Sequence, residues 1–207
     1  LRGDFKQSEY GKVVLPFVIL RRLDCLLAGS KQRVLEQLEK MPKNVDEEIR
    51  DTLLFEAAGD KMKVYNTSRF TFETLRSQEA SQIHTNLMDY VTKFSTNIRD
   101  MFLEKFLFPE QLKRLKDADI LWPVFERFCQ IDLHPDRVSN EDMGYLFEEL
   151  IRRFSEISNE TAGEHFPPRE VIKLIVDLLV VHDAKALAGK GAIRSVYDPA
   201  CGTGGML

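Results

Sequence analysis

The sequence predicts a mainly α protein. A helical N-terminal domain spans residues 1–183, with its helices within 5–182. Residues 184–207 follow as a linker, the first strand and the glycine loop of a domain built on parallel strands. Three observations carry this reading. Apolar residues recur at spacings of three and four from Tyr10 to Leu179, the period of a helix with one buried face. Strand signals are nearly absent before Ser195. The end of the chain, Ser195-Val-Tyr-Asp-Pro-Ala-Cys-Gly-Thr-Gly-Gly205, runs from a short apolar stretch (Ile193, Val196, Tyr197) into a glycine-rich turn. A parallel strand looks like this where it feeds a tight loop that brings backbone close to a ligand.

Taken in order, Tyr10 to Leu27 is apolar almost all round as far as Arg21, then keeps Leu23, Leu26 and Leu27 at helical spacing. That predicts a deeply buried helix, with Pro16 either starting its regular part or kinking it. Residues 31–40 continue as an amphipathic helix on Val34, Leu35 and Leu38, closed by Pro42. Asn44 with Glu47 reads as a capping box that opens a helix through about Ala58, and Gly59 ends it. Residues 61–68 read as a polar loop or short extended piece. Phe70, Phe72 and Leu75 enter the next helical stretch. Two further stripes follow: Ile83, Leu87, Tyr90, Val91 and Phe94, then Ile98, Met101, Phe102 and Phe106. Pro109 suits the first turn of a helix carrying Leu112, Leu115 and Ile120. Trp122-Pro123 marks a break, with Val124, Phe125, Phe128 and Ile131 beyond it. Ser139 with Asp142 caps a helix whose face is Leu146, Phe147, Leu150, Ile151, Phe154 and Ile157.

Composition sets the outer bounds. The 207 residues are 43% hydrophobic and 30% charged, which fits a soluble globular chain with a sizeable core. A net charge of −4 argues against a freestanding nucleic-acid binder, but not against a subunit that borrows its grip on DNA from a partner. Cys25, Cys129 and Cys201 are far apart and odd in number, so they read as reduced thiols in a cytoplasm. The longest apolar run, Val13 to Leu20, is too short to cross a bilayer. The four histidines share no ligand spacing, which points away from a metal site. The basic clusters Lys113-Arg114-Lys116 and Arg152-Arg153 read first as solvated helix faces, and otherwise as phosphate contacts whose binding falls with salt.

A second informative stretch runs from Glu160 to Ile172. Gly163 ends one element and Pro167-Pro168 starts the next, whose apolar face is Val171, Ile172, Leu174, Ile175, Leu178 and Leu179. As structure this is a helix–loop–helix junction with proline at the first helical position. It also puts free backbone N–H groups and Arg169 at a helix N-terminus, a natural seat for a carboxylate.

These strings carry resemblances. Asp198-Pro-Ala-Cys-Gly-Thr-Gly-Gly205 resembles motif I of the S-adenosylmethionine-dependent adenine-N6 DNA methyltransferases. The opening, Leu1-Arg-Gly-Asp-Phe-Lys-Gln-Ser-Glu-Tyr-Gly-Lys through Leu-Arg-Arg-Leu-Asp24, looks like that of the modification (M) subunit of type I restriction-modification systems. The Glu164–Arg169 junction is similar to the Ala-Gly-(Gln/Glu)-(Tyr/His/Phe)-(Phe/Tyr)-Thr-Pro-Arg string, motif X, that precedes motif I in those subunits. Pro167 stands where that family usually has Thr, so a hydroxyl and an N–H donor are both lost there.

The resemblance implies a Rossmann-like methyltransferase domain beginning near residue 184. It implies S-adenosylmethionine as cofactor, held by Glu164, His165, Phe166, Pro167, Pro168 and Arg169 from motif X. From motif I it implies Asp198, Pro199, Ala200, Gly202, Thr203, Gly204 and Gly205. The implied reaction is methyl transfer to adenine N6 in duplex DNA. The Asn/Asp-Pro-Pro-Phe/Tyr string that holds the amino group in such enzymes is absent from these residues, so the expectation is an N-terminal fragment, inactive alone. Implied partners are duplex DNA, the specificity subunit, the restriction subunit and a second M subunit, in the cytoplasm and with no membrane. The alternative is a helical interaction module of a methyltransferase that acts on RNA or protein.

Overall fold

A computed structural model describes residues 1, 3–42, 44–59, 63–158, 169–182, 195 and 197–199. The chain divides into two compact units, Leu1–Ser158 and Asn159–Leu207. Helices α1 (Tyr10–Leu27), α2 (Lys31–Lys40), α3 (Glu47–Ala58), α4 (Phe72–Arg76), α5 (Ile83–Thr92), α6 (Thr96–Asp100), α7 (Phe108–Asp117), α8 (Leu121–Cys129) and α9 (Asn140–Ser158) belong to the first unit. Helix α10 (Arg169–Val180) belongs to the second. Among the described residues the one β feature is an isolated antiparallel bridge between Asn66 and Phe94. The mainly α expectation holds. The strand expected near Ile193–Tyr197 lies mostly outside the described residues.

Helix α1 is the axis of the first unit. Its all-round apolar sequence buries Val13, Phe17, Val18, Leu20, Leu23 and Leu27, and it packs on α7, α8 and α9. Pro16 lies inside this continuous helix. The main core is a chain of aromatic contacts. Phe17 stacks on Phe128 at 5.0 Å and meets Phe108 edge-on at 5.1 Å. Phe72 joins Phe125 at 5.0 Å, and Tyr90 meets Phe94 at 5.3 Å. Aromatic pairs at such separations add to the area they bury, so six elements are tied through rings. Gly11 lets α9 approach α1: a Cβ there would lie 3.1 Å from Cδ2 of Phe154.

Several boundaries differ from the sequence reading. Helix α3 is capped by Asp46, whose carboxylate accepts from the Glu48 N–H at 2.9 Å. Asp46 is the extended residue immediately before the helix, whereas Asn44 stands one residue too early to reach the first free N–H groups. Gly59 ends α3 with φ 65°, a left-handed cap that suits glycine. The break near Trp122-Pro123 falls earlier, at Ala118–Ile120, where Asp119 has φ 56°. Pro123 instead sits in the first turn of α8, where an absent N–H loses no intrahelical bond. The stripe from Ile98 to Phe106 is not one α-helix. It passes from α6 into a π-helical turn, Met101–Lys105, closed by Phe106 N–H to Met101 C=O at 3.0 Å. The wider turn keeps Phe102 in the core. Ser139 and Asp142 do cap α9, through reciprocal bonds of 3.2 and 3.0 Å.

The polar segment after Gly59 is the largest departure. Val64 through Ser68 are buried. They pair with the α5–α6 turn by Thr67 N–H to Lys93 C=O at 2.9 Å and Ser95 N–H to Tyr65 C=O at 3.0 Å.

Candidate functional site

The residues expected to hold the cofactor are only thinly covered by the described structure. Glu164, His165, Phe166, Pro167, Pro168, Ala200, Gly202, Thr203, Gly204 and Gly205 lie outside the described residues. Arg169 is the first residue of α10, as the helix–loop–helix reading of the junction requires. Tyr197 and Asp198 are non-helical and Pro199 lies in a turn. The described fragments of the two motifs therefore have the local form that motif X and motif I need: a helix start and an extended carboxylate-bearing segment before a turn. The apolar face expected on α10 is solvent-facing at Leu174, Leu178 and Leu179.

In the first unit the basic clusters are largely committed to carboxylates. The Arg114 guanidinium bonds Glu9 through both arms, at 3.0 and 3.2 Å, and lies 4.4 Å over the Phe5 ring. Those bonds hold the Glu9 carboxyl below its ordinary range. Glu149 accepts from Arg152 at 2.8 Å and from Arg153 at 2.6 Å, and the two guanidiniums pull its carboxyl down to about 2. Lys113 and Lys116 are exposed. Each arginine thus presents a paired, partly neutralised head rather than a bare cation, which weakens the case for phosphate contact at those places.

The sequence reading missed a buried polar network at the centre of α1, carried by the Leu-Arg-Arg-Leu-Asp string. Arg22 is 6% exposed. It donates to the C=O of Leu133, to the C=O of Val138 at 2.8 Å and to Asn140 Oδ1 at 2.8 Å. It thereby pins the segment between α8 and α9. Asp24 faces the other way, accepting from Phe72 N–H at 3.0 Å, Tyr90 O–H at 2.9 Å and Arg21 at 2.9 Å. Burial pushes the Asp24 carboxyl up, against those bonds. A signal did exist: charged residues inside a helix apolar on every side have nowhere to go but into paired burial.

Next to this network lies a cleft of about 650 Å³, walled by Arg21, Phe72, Glu73, Arg76, Cys129 and His134. Burial pushes the thiols of Cys25 and Cys129 up, the latter to about 11, so neither is an activated nucleophile. Among the described residues no cluster of His, Cys, Asp and Glu could hold a metal ion, and no helix is long and apolar enough to cross a membrane. The described residues thus build a scaffold and no reaction centre.

Comparison with known proteins places this architecture. The family model described as HsdM N-terminal domain matches residues 1–128, and the one described as N-6 DNA Methylase matches residues 138–207. The type I restriction enzyme MjaIX methylase subunit of Methanocaldococcus jannaschii is 24% identical over all of this chain and 36% of its own length. The type I restriction enzyme EcoEI methylase subunit of Escherichia coli is 30% identical over 51% of this chain and 19% of its own. The HindI methylase subunit of Haemophilus influenzae is 30% identical over 31% of this chain and 12% of its own. The chain therefore spans about a third, or less, of the length of the curated relatives it matches. No solved structure matches. With more than half of its residues under the first of these family matches, running through the buried Leu-Arg-Arg-Leu-Asp string, the chain belongs to the HsdM N-terminal domain family, that of type I restriction enzyme methylase subunits.

Proposed function

We propose that the chain is the N-terminal part of a DNA methyltransferase that transfers a methyl group from S-adenosylmethionine to adenine N6 in duplex DNA. The observation that supports this most is order along one chain: a helical domain of the HsdM type, followed by a region matching N-6 DNA methylases. In this reading the helical domain covers 1–183 and the methyltransferase domain opens at 184. The cofactor supplies an electrophilic methyl group on a sulfonium. This chain's residues bind and orient it. The helix start at Arg169, with Glu164, His165, Phe166, Pro167 and Pro168 before it, faces the methionine end and favours its carboxylate through free N–H groups. Asp198, Pro199 and Ala200 lead into a loop where Gly202, Thr203, Gly204 and Gly205 let main chain approach the cofactor. The residues that hold the adenine amino group lie outside these 207.

The partners in this reading are duplex DNA, a second copy of the subunit, and the specificity and restriction subunits, all in the cytoplasm. The helical domain embraces DNA and contacts the other subunits, while target choice rests with the specificity subunit. The test is methylation of duplex DNA by the full-length subunit with its specificity subunit, read as label incorporated at adenine N6. Gly204→Asp abolishes cofactor binding in calorimetry, because it puts a carboxylate where backbone must approach. Full cofactor affinity in that variant, or label on RNA or protein instead of DNA, overturns the reading.

A further inference from the structure

The first unit contains two apolar clusters rather than one. The main core joins α1, α4, α5, α7, α8 and α9. A second consists of Val34, Leu54, Ala58 and Tyr65, with Leu38, Met41 and Phe55 at its margin. The second cluster belongs to the α2–α3 hairpin, whose principal helix–helix interface is between its own two members. The hairpin leaves the body at the Ala28–Ser30 turn and α3 ends at the left-handed Gly59. The head group that ties it back is that of Lys31, at the start of α2. Its Nζ donates to Asn66 Oδ1 at 2.7 Å and to Asn66 C=O at 3.4 Å, and it lies 5.4 Å from the centre of the Tyr90 ring. Asn66 in turn donates to the Tyr90 C=O at 2.8 Å.

We propose that the α2–α3 hairpin is a hinged arm that opens and closes on the bundle as one unit, and that loss of the Lys31 proton favours the closed position. A separate small core lets the hairpin stay folded while it moves, because its apolar contacts go with it. In the closed position the Lys31 amine is drawn out of water. The groups facing it are Asp24 from α1, Asp89 and Tyr90 from α5, and Asn66 from the segment between the arm and α4. Its nearest oxygens are amide oxygens, not carboxylates. Burial therefore outweighs the pull of Asp24 and Asp89, and lowers the amine from its ordinary 10.5 to about 8. In the open position the amine is in water and keeps the ordinary value. The open arm binds the proton more tightly, so it gains below pH 8, and the closed arm gains as pH rises from 8 toward 10.5.

Hydrogen exchange of the 207-residue chain, expressed as protection factors, tests this at pH 7 and pH 9.5. The α2 and α3 amides form one class, less protected than those of α1, α5 and α7. Their protection rises about tenfold between the two pH values, while the bundle helices do not change. Lys31→Met keeps the aliphatic stem and removes the charge. It raises α2–α3 protection at pH 7 and flattens the pH response, and Lys31→Gln supplies the same reading should the Met variant fail to fold. Exchange of α2 and α3 together with α1 overturns the proposal. So does a pH response that survives in the uncharged variants, or a loss of arm protection in them.

Discussion

Replacing Arg22 by methionine removes the only charged group of the network whose described partners are all uncharged acceptors. Exchange of a buried ion pair for apolar residues is often neutral, because both charges leave together. Here the partners stay behind. The C=O groups of Leu133 and Val138 and the Asn140 side chain keep their positions and lose their donor. Each buried acceptor left unmade costs about 1–3 kcal/mol. Asn140 reaches water and recovers part of its share, since it is exposed. With two carbonyls in the protected environment, the expected loss is about 3 kcal/mol. That is a large part of the roughly 5–15 kcal/mol that holds a domain. In urea, with a slope of about 2 kcal/mol per molar, the midpoint falls by about 1.5 M. Arg22→Lys recovers only part of the loss, because an ammonium lacks the planar fork that reaches three acceptors in different directions. A loss below about 1 kcal/mol for Arg22→Met, set against the cost of an unmade acceptor, would refute the reasoning and place the segment between α8 and α9 under other control.

Further outcomes follow from single sites. Gln111 Oε1 is buried without a hydrogen-bond partner, so Gln111→Leu raises the thermal midpoint, and a lower midpoint would mean that this oxygen is satisfied in solution. Gly11→Leu drives a side chain into Phe154 and costs about 1–3 kcal/mol, an effect that Phe154→Ala relieves in a double-mutant cycle. Gly59→Ala, at φ 65°, costs about 1 kcal/mol, measured by urea titration. Asp24 is raised by burial, so the folded state holds its proton more tightly than the unfolded chain. The ionised carboxylate therefore weighs on stability above the folded value, and the weight lifts as pH falls through it. Asp24→Asn should be most favourable relative to the parent near pH 7 and lose that advantage toward pH 4. An advantage that grows on acidification would contradict this sign.

Helix positions were legible because the apolar stripes are long and regular. Tyr10–Leu27 and the Ser139-capped α9 were read directly from period and cap. What could not be read was local chemistry that depends on distant partners. Val64 to Ser68 look like a surface loop by composition. They are buried because the α5–α6 turn supplies the carbonyl and N–H groups they need, and nothing near them in sequence announces that. The π-turn at Met101–Lys105 was equally hidden, since its apolar spacing fits an α-helix nearly as well. The proline at 123 misled because the same residue both breaks helices and begins them. At the expected cofactor site, the junction helix begins at Arg169 as read, and the glycine loop rests on its sequence motif.

The three bonds from Arg22 also set a rule for change in the segment between Cys129 and Asn140. Two of its three acceptors are main-chain carbonyls, which every amino acid provides. Most side chains between Ile131 and Ser139 can therefore be exchanged without touching the anchor. The number of residues cannot. Inserting or deleting one would carry Val138 or Asn140 out of reach of a guanidinium fixed in α1, and α9 would begin in the wrong place. Variation here should accordingly be free in spelling and strict in count, and a library that randomises identity at constant length would recover far more folded variants than one that changes length by a single residue.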